Sequence, residues 1–171
     1  MQELLSNHKL NLGIGPHGGS PLFIASQEGH LAIVKELLKN SRIDPTQPRT
    51  DGITPLYMAS HIGHLEIVKE LLKDGRIDPN QARPDGVTPL YVASREGRLE
   101  VVRELLKDKR THPNQVGRDG YTPLMVAVKY DELSIVKLLH EKGASLEIAD
   151  SEGLTLLLGQ YGWGIFVWLN T

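Results

Sequence analysis

Asp51-Gly52-Ile53-Thr54-Pro55-Leu56-Tyr57-Met58-Ala59-Ser60-His61-Ile62-Gly63-His64-Leu65-Glu66-Ile67-Val68-Lys69-Glu70-Leu71-Leu72 reads as a turn followed by two short helices. The Thr54 hydroxyl can accept from the free amides of a first helical turn. Proline at the first helical position gives up no needed hydrogen bond. About two turns later Gly63 can take the left-handed conformation that ends a helix. A second helix follows at once, with Leu65, Ile67, Val68, Leu71 and Leu72 on an apolar face and Glu66, Lys69, Glu70 and Lys73 on a wet one.

The same sentence is written along the rest of the chain. Gly18, Gly52, Gly86, Gly120 and Gly153 are spaced by 34, 34, 34 and 33 residues. Helix starts recur at Ser20-Pro21-Leu22, Thr88-Pro89-Leu90 and Thr122-Pro123-Leu124, and helix stops at Gly29 and Gly97, with Asp131 in the fourth place. The second-helix pattern returns as Leu31, Ile33, Val34, Leu37, Leu38, then Leu99, Val101, Val102, Leu105, Leu106, then Leu133, Ile135, Val136, Leu138, Leu139. No single pair buries its own apolar face. Stacking does, each buried aliphatic contributing roughly 1.5–3 kcal/mol against roughly 1–2 kcal/mol per ordered backbone residue, so adjacent repeats stabilise one another.

The period, the Thr-Pro-Leu opening, Ala25, Ala59, Ala93 and Ala127, Gly-His at 29–30 and 63–64, and the Leu-Leu pairs together resemble the ankyrin repeat. That resemblance implies an all-α ankyrin-repeat solenoid: stacked helix-turn-helix units joined by hairpin-like fingers, with a concave face of fingers and first helices that usually binds proteins. It brings no catalytic residue. Two departures stand out. Phe23, Tyr57, Tyr91 and Met125 replace the histidine that often follows Thr-Pro-Leu, which removes its usual hydrogen bonds. Segments such as Arg76-Ile77-Asp78-Pro79-Asn80 lengthen the repeat to 34 residues. Asn80 and Asn114 match the finger asparagine that asparaginyl hydroxylases modify in many ankyrin repeats, with Leu72 and Leu106 eight residues upstream. The competing reading is an asparagine bonding within its own turn.

The register divides the chain into a single domain: an N-terminal half repeat at 1–16, full repeats at 17–50, 51–84, 85–118 and 119–151, and a degenerate C-terminal capping repeat at 152–171. In that last unit Phe166, Trp168 and Leu169 fall on the positions of Leu133, Ile135 and Val136, which predicts a truncated second helix. The apolar tail could instead cross a membrane, but it holds Gln160 and Gly159, Gly162 and Gly164 and falls short of about 20 apolar residues.

Composition narrows the function. A 171-residue chain that is 40% hydrophobic supports one substantial core. Nineteen Lys and Arg against 21 Asp and Glu leave a net charge of −2, no broad basic field for nucleic acid or anionic lipid. Cysteine is absent, so thiol chemistry and disulfides are excluded. Nothing resembles a signal peptide, and the expected compartment is cytoplasmic, with nuclear as the alternative. The chain is expected to be a monomer, with self-association through the C-terminal aromatics as the other possibility.

Motifs for chemistry fail on context. Gly13-Ile14-Gly15-Pro16-His17-Gly18 matches a dinucleotide glycine pattern, but the repeat register puts it in a finger without a βαβ unit. His61 and His64 are spaced like metal ligands, yet Gly63 separates them and no further ligands recur; His30 and His64 read as caps of the second helix. Ser26, Ser60 and Ser94 share one scaffold position and read as packing or capping groups rather than nucleophiles. No enzyme, cofactor or metal is expected.

Comparison of the repeats with one another marks a surface. Repeats two and three share 21 of 34 residues, yet the pair ending the first helix changes from His61-Ile62 to Arg95-Glu96, and is Lys129-Tyr130 in repeat four. The resemblance places this pair on the concave face beside Ile53, Val87 and Tyr121. Apolar and aromatic groups left wet there would serve as anchors, with Arg95, Glu96 and Lys129 setting charge complementarity. The expected function is a scaffold or adaptor that binds another protein through His61, Ile62, Arg95, Glu96, Lys129, Tyr130, Ile53, Val87 and Tyr121. The alternative is an architectural spacer, or part of a longer array associating through its ends.

Overall fold

The computed structural model describes residues 18–158 and 166–170. Eight α-helices lie among them, arranged as four consecutive pairs: α1 (Pro21–Gln27) with α2 (Leu31–Leu38), α3 (Pro55–Ile62) with α4 (Leu65–Lys73), α5 (Pro89–Arg95) with α6 (Leu99–Leu105), and α7 (Pro123–Lys129) with α8 (Leu133–Glu141). First helices pack on first helices and second on second along the stack, which makes an all-α solenoid.

Each first helix starts as its sequence dictates. The side-chain oxygens of Ser20, Thr54, Thr88 and Thr122 accept from the backbone amides of Phe23, Tyr57, Tyr91 and Met125 at 3.1–3.2 Å. Proline follows each cap. At the far end Gly63 stands at φ 99°, a value that favours glycine, while in the fourth pair Asp131 holds φ 62°. The turn keeps its geometry there with a residue less suited to it.

Two apolar clusters form. The larger lies between the two helix layers and includes Leu22, Val34, Leu56, Val68, Leu71, Leu90, Val102, Leu105, Leu124 and Leu139. The second comprises Phe23, Ile53, Tyr57, Met58, Val87, Tyr91, Val92 and Val126. The aromatic residues that replace the family's histidine therefore build a second core beside the fingers. Ser26, Ser60 and Ser94 are all fully buried; Ser94 Oγ donates to the Leu90 carbonyl at 2.8 Å, whereas the hydroxyls of Ser26 and Ser60 have no hydrogen-bond partner among the described residues.

The fingers close through paired backbone bonds: the amides of Arg49, Arg83 and Gly117 donate to the carbonyls of Ile53, Val87 and Tyr121 at 2.8–3.1 Å, and the amides of Gly52, Gly86 and Gly120 donate back to the carbonyls of Arg49, Arg83 and Gly117 at 2.8–3.3 Å. The extra residue of the 34-residue period is taken up on the side of the second helices. There Arg76 donates to the carbonyls of Ile43 (2.9 Å) and Leu38 (3.3 Å), and Arg110 to those of Ile77 (2.9 Å) and Leu72 (3.1 Å). Asp74 and Asp108 hold these guanidinium groups in place.

The hydrogen bonds from Arg76 and Arg110 hold the two carboxyls below the usual aspartate range, against the opposing effect of burial. A depressed folded-state pKa contributes stability that is present above the unfolded value of about 3.9 and is lost as pH falls through the folded one. Asp74→Asn combined with Asp108→Asn should therefore lower the urea midpoint at pH 7. The two midpoint curves should converge below about pH 4, which a titration of unfolding midpoints against pH would read.

After the fourth pair the expected truncated helix is replaced by an antiparallel hairpin. Strands β1 (Leu154–Leu158) and β2 (Phe166–Asn170) pair with Leu154 opposite Asn170 and Leu158 opposite Phe166. The cause is local. Thr155 occupies the cap position but Leu156 stands where the other repeats have proline, and Gly159, Gly162 and Gly164 each cost a helix about 1 kcal/mol. Phe166, Val167 and Trp168 are strand-favouring types. The half repeat at 1–16 and nearly all of the Gly13–Gly18 pattern lie outside the described residues.

Candidate partner-binding face

The fingers and the ends of the first helices bring most of the sequence-marked residues to one side. Arg95 Nε donates to Glu96 Oε1 at 2.8 Å, and His61 Nε2 stands 3.8 Å from the same oxygen, so the charged strip crosses from the second helix pair to the third. The His61 ring lies 6.5 Å from that of Tyr57. Ile62 packs at the margin of the second apolar cluster, half-buried. In the fourth pair Lys129 Nζ sits 4.7 Å above the Tyr121 ring, a cation–π contact, and Tyr130 is 54% exposed.

Two of the proposed anchors are placed differently from expectation. Ile53 and Val87 are only 8% and 4% exposed. They precede the helix caps on the finger strand whose carbonyl closes the turn, and their side chains belong to the second core. Their apolar character is explained by packing within the chain. Tyr121, at the same register position, is half-buried and joins both clusters at their margin.

The sequence reading missed a row of cations that covers the aromatic core. Arg49 lies over the Phe23 ring at 5.1 Å and Arg83 over Tyr57 at 5.8 Å, and Asp51 and Asp85 pair with these two arginines. In the third pair Gly117 takes that place, and a Cβ there would come within 2.9 Å of the Tyr91 ring. The recurrence of Arg-x-Asp-Gly at 49–52 and 83–86 was the available signal.

His64 also acts elsewhere than expected. It makes no side-chain bond to its own helix, and its Nε2 lies 3.1 Å from the Gln27 carbonyl at the end of the preceding first helix. Arg98, at the same register position, donates from Nε to the His61 carbonyl at 3.1 Å. Asn80 bonds within its turn to Asp78 and also reaches the next repeat, donating to the Arg110 carbonyl and accepting from the His112 amide, both at 2.7 Å. Asn114 accepts from the Ser145 amide at 2.7 Å in the same way. Both side chains are inter-repeat staples.

The groove between the second helices is lined by Lys35, Glu66, Lys69, Glu70, Lys73 and Glu104, largely paired within their own helices. Glu70 is less wet than its pattern predicts, its side chain being 22% exposed. Among the described residues no group of three or more His, Asp or Glu could hold a metal ion, and no helix is long and apolar enough to cross a membrane.

Stacked helix pairs joined by closed fingers define a helical-repeat solenoid. Two family descriptions match the sequence: ankyrin repeats (3 copies) over residues 22–116, and ankyrin repeats (many copies) over residues 110–157. The chain belongs to the ankyrin-repeat family. Ankyrin repeats are generally protein–protein interaction modules, and proteins built from them are typically non-enzymatic. No curated protein matches the chain.

Proposed function

We propose that this protein is a scaffold or adaptor that binds a partner protein on the face of fingers and first-helix ends. The observation that carries the reading is the exposed Tyr130 beside the Lys129–Tyr121 contact, at the same register position as half-buried Ile62. A large aromatic costs free energy to leave wet, and Tyr and Arg are frequent anchors of interfaces. Ile62, Tyr121 and Tyr130 supply apolar contact. Arg95, Glu96, His61 and Lys129 set orientation and charge complementarity. Ile53 and Val87 support the face from beneath.

The double variant Ile62→Glu/Tyr130→Glu should weaken partner capture from cell extract by more than about tenfold, or ~1.4 kcal/mol. Its melting temperature should move little. Undiminished capture by that folded variant, with loss on charge reversal at Glu66 and Lys69, would move the site to the side of the second helices.

A further inference from the structure

The strand pair after the fourth repeat breaks with the composition of the helices before it. Residues 153–171 contain no Asp, Glu, Lys, Arg, His or Pro, in a chain that is 23% charged. Within that run β1 (Leu154–Leu158) and β2 (Phe166–Asn170) pair antiparallel along their full length, with Leu156 opposite Trp168 at the centre. Alternation in this register places Leu156 and Trp168 on one face of the pair and Leu157 and Val167 on the other, so both faces are apolar.

A two-stranded sheet is marginal in water, and three or more strands are needed for independent stability. The end of a helical stack is one surface: it can lie against one face of the sheet, but it offers no strand to an edge. Every other regular element among the described residues is helical, so none of them supplies a third strand. Neither β1 nor β2 carries the charges or proline that natural proteins place on edge strands to block pairing. β1 is joined directly to the fourth repeat at Gly153, whereas β2 is joined only through β1, so a second bulky chain is accommodated more easily at β2. That edge also carries the aromatics.

An uncharged run gives an oppositely charged partner nothing to recognise. A second copy, by contrast, brings an edge of the same length and composition. The five residues of β2 pair with themselves about a two-fold axis through Trp168, with Val167 opposite Leu169 and Trp168 opposite its own copy. Such apolar and aromatic cross-strand pairs stabilise a sheet. We propose that β2 joins β2 of a second copy edge to edge, which closes a four-stranded antiparallel sheet in the order β1-β2-β2-β1 and makes the protein a two-fold dimer. The pairing uses none of the residues of the partner-binding face.

Sedimentation of the intact chain tests the dimer. The parent protein should run at the mass of two chains and dissociate toward one on dilution. A chain with Val167→Lys and Leu169→Lys sets like charges opposite one another across the two-fold, as does a chain with Val167→Glu and Leu169→Glu. Each alone should sediment as a monomer with the parent's helical circular dichroism. Mixed one to one, the two should recover the dimer, because lysine then faces glutamate at both pairs. The Ile62→Glu/Tyr130→Glu chain should dimerise as the parent does. A monomeric parent, or one whose assemblies grow past two chains with concentration, would overturn the proposal. So would a lysine variant that stays dimeric, or loss of the dimer in Ile62→Glu/Tyr130→Glu, which would move self-association to the partner-binding face. Lysine and glutamate variants that are both monomeric yet fail to combine would also overturn it, since that is the outcome if the substitutions only unfold the strand pair.

Discussion

Replacing Leu105 by alanine should lower stability by about 2–5 kcal/mol, the range for deleting a large aliphatic from a core that cannot collapse around the gap. Leu105 is fully buried, at 0% exposure, in the cluster between the helix layers. Its loss strips contacts from its own pair and from both neighbours, so the effect should spread along the stack. Leu71, equally buried one repeat earlier, should behave alike. The comparison residue is Glu66, whose side chain is 64% exposed and paired with Lys69 on its own helix; Glu66→Ala should leave the denaturant midpoint nearly unchanged. Equal shifts of the denaturant midpoint in Leu105→Ala and Glu66→Ala would contradict the assigned helix faces.

Gly120→Ala should be nearly as damaging. Gly120 ends the short 3₁₀ turn Arg118–Gly120 in the finger before α7 at φ 75°, where a side chain costs about 1–2 kcal/mol. A Cβ there would also lie 2.7 Å from the Ser151 amide nitrogen and 3.0–3.1 Å from Asp150 backbone carbons. Backbone cannot swing aside as a flexible side chain can, and overpacking of this kind adds about 1–3 kcal/mol. Gly143 separates the two terms, because at φ 87° it has no heavy atom within 4 Å of a built Cβ. Gly143→Ala should carry the backbone cost alone. Matched denaturation curves of the two variants would show that the contact to 150–151 contributes nothing.

The helices and their faces were legible because their signals are local: a hydroxyl three residues ahead of the amide it caps, a proline, a left-handed stop, an apolar face every three or four residues. The bonds that join repeats were not. His64 to Gln27, Arg76 to Ile43 and Asn80 to Arg110 span 30 to 37 residues, and no short window contains both partners. They leave only a recurrence at the period, which also explains why Arg49 and Arg83 passed as ordinary finger charges. The candidate face was legible in part. Variation between repeats located Ile62, Arg95, Lys129 and Tyr130 on it, but pattern alone does not distinguish a wet aliphatic from one under an aromatic core, and Ile53 and Val87 proved to be the latter. The strand pair of Leu154–Leu158 with Phe166–Asn170 was not legible, because the Gly153 spacing and the register of Phe166, Trp168 and Leu169 persist where the helix-starting proline is lost.

The inter-repeat arginines all give in one direction, Arg76 of the second repeat to the first and Arg110 of the third repeat to the second. The third repeat thus carries a complete plug on its N-terminal side, while its C-terminal side presents the carbonyl sockets of Leu106 and Thr111, in register with those that Arg110 fills at Leu72 and Ile77. A duplicate of residues 85–118 spliced in after the original would bring its own plug to those sockets, whereas a duplicate of residues 119–151 would bring none. Copying from the middle of the chain carries this tie into the array and copying the last repeat does not, so the ties between repeats depend on which repeat is copied, independently of how stable each copy is alone.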